Sequence, residues 1–177
     1  PKGSVVHVDG EVRSTRPTDR AIVLRYLLPV RTKGAVFEHE LSQSAPADSE
    51  KPGLGTVFPI AAMTGDEWGA ALAIPPTFPC CFGMVGSQAG LAVEFYLGLS
   101  PATQRFPNRA RFSFMIYAAA PGWGFRSALS RYYELFPDYY RPRFKGGGFW
   151  NWQEKGDIEH ALPLYRLQGI TRTRTFY

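Results

Sequence analysis

Apolar and polar positions alternate with a period of two through most of the first 120 residues. In "RAIVLRYLLPV" the side chains of Ile22, Leu24, Tyr26, Leu28 and Val30 fall on one face, and in "LAVEFYLGLS" those of Leu91, Val93, Phe95, Leu97 and Leu99 do the same. "RFSFMIYAAA" is the clearest case: Phe112, Phe114 and Ile116 line one face, and Arg111, Ser113, Met115 and Tyr117 the other. That period belongs to a strand with one face on a core and the other partly wet. "GSVVHVDGEV" and "GAVFEHELS" add further strands, whereas the composition of "QSAPADSEKPGLG" is that of a surface loop. Turns at Thr64-Gly65-Asp66-Glu67 and at "SQAG" are flanked by apolar runs and predict two hairpins. The order is hairpin after hairpin, with no βαβ rhythm and no repeat of fixed period, which predicts an antiparallel β-sandwich.

The period changes once. From Trp123 to Arg143 the chain reads "WGFRSALSRYYELFPDYYRPR", and Phe125, Ala128, Leu129, Tyr132 and Phe136 recur at helical spacing. Pro121-Gly122 breaks the strand before it, and Pro137 ends it, since proline cannot donate to the helix and disfavours helical geometry just before itself. The apolar stripe of this one helix needs a surface to cover, most simply a sheet edge or one end of the sandwich. The expected core is Ile22, Leu24, Leu28, Leu72, Val93, Phe95, Leu97, Phe112, Phe114, Ile116, Phe125, Leu129 and Phe136. The expected division is a sandwich plus helix over 1–144 and an irregular basic tail over 145–177.

Composition narrows the function classes. The chain has 177 residues, 45% of them hydrophobic and 15% aromatic, enough for one domain with a substantial core. Residues 1–140 carry 13 Lys and Arg against 12 Asp and Glu; residues 141–177 carry 7 against 3. A near-neutral body with a basic tail argues against a nucleic-acid-binding face on the main fold. No apolar window reaches the roughly 18 residues a membrane span needs, so no membrane contact is expected. Cys80 and Cys81 are adjacent; a disulfide between sequence neighbours is strained, so both read as free thiols, which leans toward a reducing, cytoplasmic setting. The chain starts at Pro1 with no apolar leader, as a trimmed or internal start would.

Candidate chemistry is sparse. His7, Asp9 and Glu11 share one strand face, as a solvated face would also arrange them. Glu38 and Glu40 share a face of "FEHEL" with His39 on the other, and this is not the helical HExxH pattern. His160 stands alone. Asp66 with Glu67, and Glu134 with Asp138, are the carboxylate pairs available for glycoside hydrolysis, and each has a plainer place in a turn or at a helix end. "KGGGFW" lacks the strand-to-helix setting of a phosphate loop. No metal and no cofactor is expected. The aromatic run Tyr139, Tyr140, Phe144, Phe149, Trp150 and Trp152 is more suggestive. Its flat rings either pack or present a platform for the apolar faces of sugars, and Tyr139, Tyr140, Phe149, Trp150 and Trp152 are the candidate ligand-binding residues.

"FPIAAMTGDEWGAALAIPPTFPC" followed by "LAVEFYLGLSPATQRFPNRARFSFMIYAAAPGWGFRSALSRYYELFPDYYRPR" resembles an uncharacterised group of large bacterial glycoside-hydrolase-like proteins, over roughly residues 20–150. In that group an N-terminal β-supersandwich, similar to galactose-mutarotase-like domains, precedes a (β/α)8 barrel. The resemblance implies a sandwich of supersandwich type whose helix leads toward the barrel. Only 27 residues follow Trp150, so no catalytic carboxylate of a barrel has a counterpart in this sequence. The expected function is therefore that of a non-catalytic, carbohydrate-associated module that binds glycan weakly, a truncated or stand-alone relative of a glycosidase accessory domain. The alternative is a protein-interaction module that associates with itself. A sugar-converting enzyme working through the sandwich ranks below both, because three scattered histidines offer no acid and base on one concave face.

Overall fold

The computed structural model describes residues 4–141. Its strands, in chain order, are β1 (Val5–Arg13), β2 (Arg20–Leu28), β3 (Val36–Glu38), β4 (Ser44–Pro46), β5 (Gly53–Gly55), β6 (Ile60–Thr64), β7 (Gly69–Ala73), β8 (Phe82–Ser87), β9 (Gly90–Leu99) and β10 (Arg109–Ala118). They form a six-stranded sheet of order β1-β10-β7-β6-β3-β4 and a four-stranded sheet of order β2-β9-β8-β5. Every pairing is antiparallel. The chain is mainly β, a sandwich with one helix of more than a single turn among the described residues, α1 (Gly124–Leu135). A short helical turn, α2 (Pro137–Tyr140), follows it. Sandwich and helix belong to the first of two compact units, which ends at Tyr139. No helix among the described residues is long and apolar enough to cross a membrane.

Both predicted hairpins form, with Thr64 opposite Gly69 and Ser87 opposite Gly90. The succession of hairpins is otherwise incomplete. β1 pairs with β10 and β2 with β9, so the first two strands and the last two each change sheet together. Their connections are tied to one another: Ser14 N–H donates to the Asn108 carbonyl at 2.9 Å, and the Asn108 side-chain amide donates to the Arg16 carbonyl at 3.1 Å. Asn108 adopts a φ of 53°, a left-handed turn that asparagine tolerates.

The stretch expected to be a loop, "QSAPADSEKPGLG", holds β4 and β5. Each is three residues long and lies at the edge of its sheet. Composition concealed them because an edge tolerates proline, and because β5 is built of glycines for a packing reason. Gly53 and Gly86 are direct partners across β5 and β8. A Cβ at Gly53 would lie 2.5 Å, and one at Gly86 2.2 Å, from the Phe37 side chain. Phe37 belongs to the opposite sheet and is fully buried, so two bare backbones form the floor of its inter-sheet socket.

The first core lies between the sheets, where Phe37, Met63, Leu72 and Phe114 meet Met84, Val93, Phe95 and Leu97. Ile22, Leu24, Leu28, Phe112 and Ile116 pack against it, partly buried, as the alternation required. A second core lies on the outer face of the six-stranded sheet, where Ile60, Ala62, Ala71, Ala73, Met115 and Tyr117 meet Phe125, Ala128 and Tyr132, with Leu129 and Phe136 packed alongside. The helix therefore covers a sheet face, chiefly β6 and β7, and not an edge or an end. Met115 and Tyr117, expected on a partly wet face, are buried for that reason. Alanines at 62, 71 and 73 keep this face low and let the helix approach.

Two tyrosine hydroxyls fix the helix in place. Tyr132, on the helix, donates to the Ile74 carbonyl at 2.7 Å, and Tyr117, on the sheet, donates to the Ala128 carbonyl at 3.0 Å. Burial pushes the Tyr117 phenol well above its usual range, with Arg131 opposing the shift, so it remains a donor. The helix ends as predicted: Phe136 leaves helical geometry, with φ −128° and ψ 56°, just before Pro137.

Candidate functional site: a cleft at the start of the helix

The start of α1 has no cap of its own. Trp123, at the N-cap, makes no side-chain capping bond, and the first turn holds no acidic residue. Glu38, at the end of β3, supplies what is missing: the Phe125 N–H donates to its Oε2 at 3.0 Å. A carboxylate at that position satisfies an orphan donor and sits favourably at the positive end of the helix dipole. The fit needs glycine at 124. Its φ is 47°, and a Cβ there would lie 1.8 Å from Glu38 Oε2. Ser127 closes the turn by accepting the Ala120 N–H and donating to the Gly124 carbonyl, both at 2.8 Å.

This join leaves an open cleft of about 460 Å³ between the β3–β4 edge and the helix start. That size lies within the roughly 300–1,000 Å³ of small-molecule sites. Glu38, Glu40, Ser44, Thr64, Trp123 and Arg126 supply its chemistry, with Val36 and Leu41 as apolar wall. Trp123 is 70% exposed, the most open aromatic ring among the exposed large hydrophobics. Carboxylates and hydroxyl oxygens accept hydrogen bonds, Arg126 donates them, and the indole face offers a flat apolar surface. Such a set can hold a polyhydroxylated ligand that also has an apolar face.

The candidates expected from sequence fare unevenly. Tyr139 is 58% exposed and touches Phe136 edge-on at 6.5 Å, and it is not among the walls of the cleft. Tyr140 is exposed at the end of α2. Phe144, Phe149, Trp150, Trp152 and His160 lie outside the described residues. Asp66 and Glu67 stand exposed in their turn, and Glu134 pairs with Arg131 at 2.9 Å. Among the described residues no three His, Cys, Asp or Glu side chains are grouped to hold a metal. Cys80 and Cys81 are free thiols; burial first, and the neighbouring Cys81 second, push Cys80 up to about 11. Trp123, Ser44, Thr64 and Arg126 were missed. The one available signal was the shared face of Glu38 and Glu40, together with a large aromatic placed between two glycines in "PGWG".

A second polar feature lies on the outer face of the four-stranded sheet. Glu94, only 7% exposed, accepts a bond from the Tyr96 hydroxyl at 2.8 Å and is held by Arg25 Nε at 2.7 Å. Burial works against its charge, but Tyr96 and Arg25 together outweigh it and keep the carboxyl below its usual range. Val23, Leu27, Leu54 and Tyr96 are exposed around this network. A scan of family models found no match to the chain, and searches of curated proteins and of solved structures found none.

Proposed function

We propose that this chain is a non-catalytic, carbohydrate-associated β-sandwich module that binds glycan in the cleft at the start of the helix. Trp123 carries the reading: an open indole beside two carboxylates, two hydroxyls and a guanidinium. The C–H face of a sugar ring lies on the indole, and its hydroxyls donate to Glu40 and to the free acceptor sites of Glu38. The accessory-domain relationship to glycosidases draws support from the resemblance of residues 20–150 and from the sandwich architecture. Calorimetric titration of the whole chain with a panel of neutral oligosaccharides tests it. Trp123→Ala is expected to weaken binding about tenfold or more, the equivalent of ~1.4 kcal/mol. Trp150→Ala and Trp152→Ala, run in parallel, test the aromatic run near the C-terminus as an alternative platform. Binding by no member of the panel, or an affinity indifferent to Trp123, defeats the proposal.

The exposed Val23, Leu27, Leu54 and Tyr96 favour a second reading, in which the open sheet face joins a second copy of the chain. Light scattering would then show a dimer that Leu27→Arg returns to monomer. A wild-type monomer at high concentration removes this reading.

A further inference from the structure

The region where β1 meets β10 differs in character from the Trp123 cleft: it is basic and aromatic. Two adjoining clefts, of about 340 and 520 Å³, share Glu11, Phe78 and Arg111. Phe78, Pro79 and Phe106 give the smaller cleft a mainly apolar wall, and Arg109 and Arg111 stand at it. Arg105 and Arg111 both lie over the Phe106 ring, 5.5 and 5.8 Å from its centre. The loop that presents Phe106 is braced: Asn108 N–H donates to the Ser100 carbonyl at 2.8 Å, and the Thr103 hydroxyl lies 2.9 Å from the Phe106 carbonyl.

Some of the charges here pair favourably, with Glu11 directly opposite Arg111, and some do not. Arg13 and Arg109 are direct cross-strand partners on β1 and β10, and like charges in that relation are destabilising. Four guanidinium groups, of Arg13, Arg105, Arg109 and Arg111, gather with two carboxylates, of Asp9 and Glu11. Glu11 is already engaged by Arg13 and, at 3.7 Å, by Arg111. Its bond to Arg13 and the nearby charges of Arg13, Arg109 and Arg111 hold its carboxyl below the usual range against a burial effect, so it stays an anion. Arg109 forms no salt bridge among the described residues. Four guanidinium groups against two carboxylates, with Arg109 beside an apolar cleft and opposite another arginine, leave the site short of anionic charge.

We infer that this cleft binds a small aromatic oxyanion, its ring against Phe78, Pro79 and Phe106 and its charged group on Arg109 and Arg111. Arginine suits both halves of the ligand, because its planar fork pairs with oxyanions and its face stacks on rings. The site is separate from the Trp123 cleft, and the two stand or fall independently.

Phenyl phosphate is the probe, titrated into the isotope-labelled whole chain and followed by amide chemical shifts. Saturable shifts are expected at Gly10–Val12, Phe78 and Ala110–Ser113, at one ligand per chain. Benzyl alcohol, which keeps the ring without the charge, and inorganic phosphate, which keeps the charge without the ring, are each expected to bind at least about tenfold more weakly. Arg109→Gln is expected to cost about tenfold in affinity, and Arg111→Gln a similar factor; Lys33→Gln, an exposed charge that lines neither cleft, should cost none. Amide spectra of the variants establish that each is folded. No saturable shift at these residues, equal binding of either half-probe, or an affinity indifferent to both arginines would overturn the site.

Discussion

The two outer faces of the sandwich answer the same problem differently. The six-stranded sheet has a helix over β6 and β7, and its outward side chains there are alanines, Ile60, Met115 and Tyr117, all buried. Among the described residues no helix packs on the four-stranded sheet, and its outward side chains include Val23, Leu27 and Tyr96, each at least 40% exposed, around the Arg25–Glu94–Tyr96 network. Both faces are rich in apolar residues, so hydrophobicity alone does not decide which is covered. Small side chains and carbonyls free to accept the tyrosine hydroxyls do. On the open face, a nearly buried carboxylate with two partners sits where a covering helix would have to desolvate Arg25 as well. Taking a charge out of water is costly unless its partners remain, which sets that face apart from its covered counterpart.

Truncating Tyr132 is the strongest way to break the contrast. Tyr132→Ala removes a fully buried ring from the helix–sheet core and is expected to destabilise the fold by about 3–5 kcal/mol, the usual cost of a large aromatic cavity. Tyr132→Phe keeps the ring and loses the bond to Ile74, for about 1 kcal/mol. The matching truncation on the open face, Leu27→Ala, should stay within about 0.5 kcal/mol, since that side chain is 40% exposed. Chemical denaturation midpoints measure all three. A Leu27→Ala loss comparable to that of Tyr132→Ala would mean that the open face is not open in solution.

Much of this contrast was legible in the sequence, and the part that was not has identifiable causes. The alternation in β2, β9 and β10 gave the inner faces directly, because each residue's side follows from the two-residue period. The helix and its stop at Pro137 followed from the spacing of Phe125, Ala128 and Tyr132. Its docking place did not, although "PIAAMTG" and "GAALAIP" held the sign: a strand apolar at every position is buried on both sides. β4 and β5 escaped because three-residue edge strands containing proline and glycine lack any periodic signal. The cleft escaped for a deeper reason. Glu38 and Phe125 are 87 residues apart, and nothing local to either announces that one will cap the other's helix. Alternation did place Glu38 and Glu40 on one face, and Trp123 adjoins the Pro121-Gly122 break; only the fold sets the three around one space.

The smallest effect tests whether the polar network of the open face is a charge network at all. Glu94 is held below its ordinary value of 4.5 in the folded chain, despite burial, by Tyr96 and Arg25. The unfolded chain therefore takes up this proton at higher pH than the folded chain does. Above 4.5 the network contributes its full stability; as pH falls through that value toward the folded one, the contribution is lost. Glu94→Gln removes the charge and leaves a side chain that Tyr96 can still donate to. With Arg25 largely exposed, the expected loss at pH 7 is below about 1 kcal/mol. The difference between wild type and variant should shrink as pH falls below 4.5, in thermal midpoints measured at each pH. A difference that persists undiminished at pH 3 would mean that Glu94 is retained for shape alone, and that the open face is polar at its centre without depending on charge.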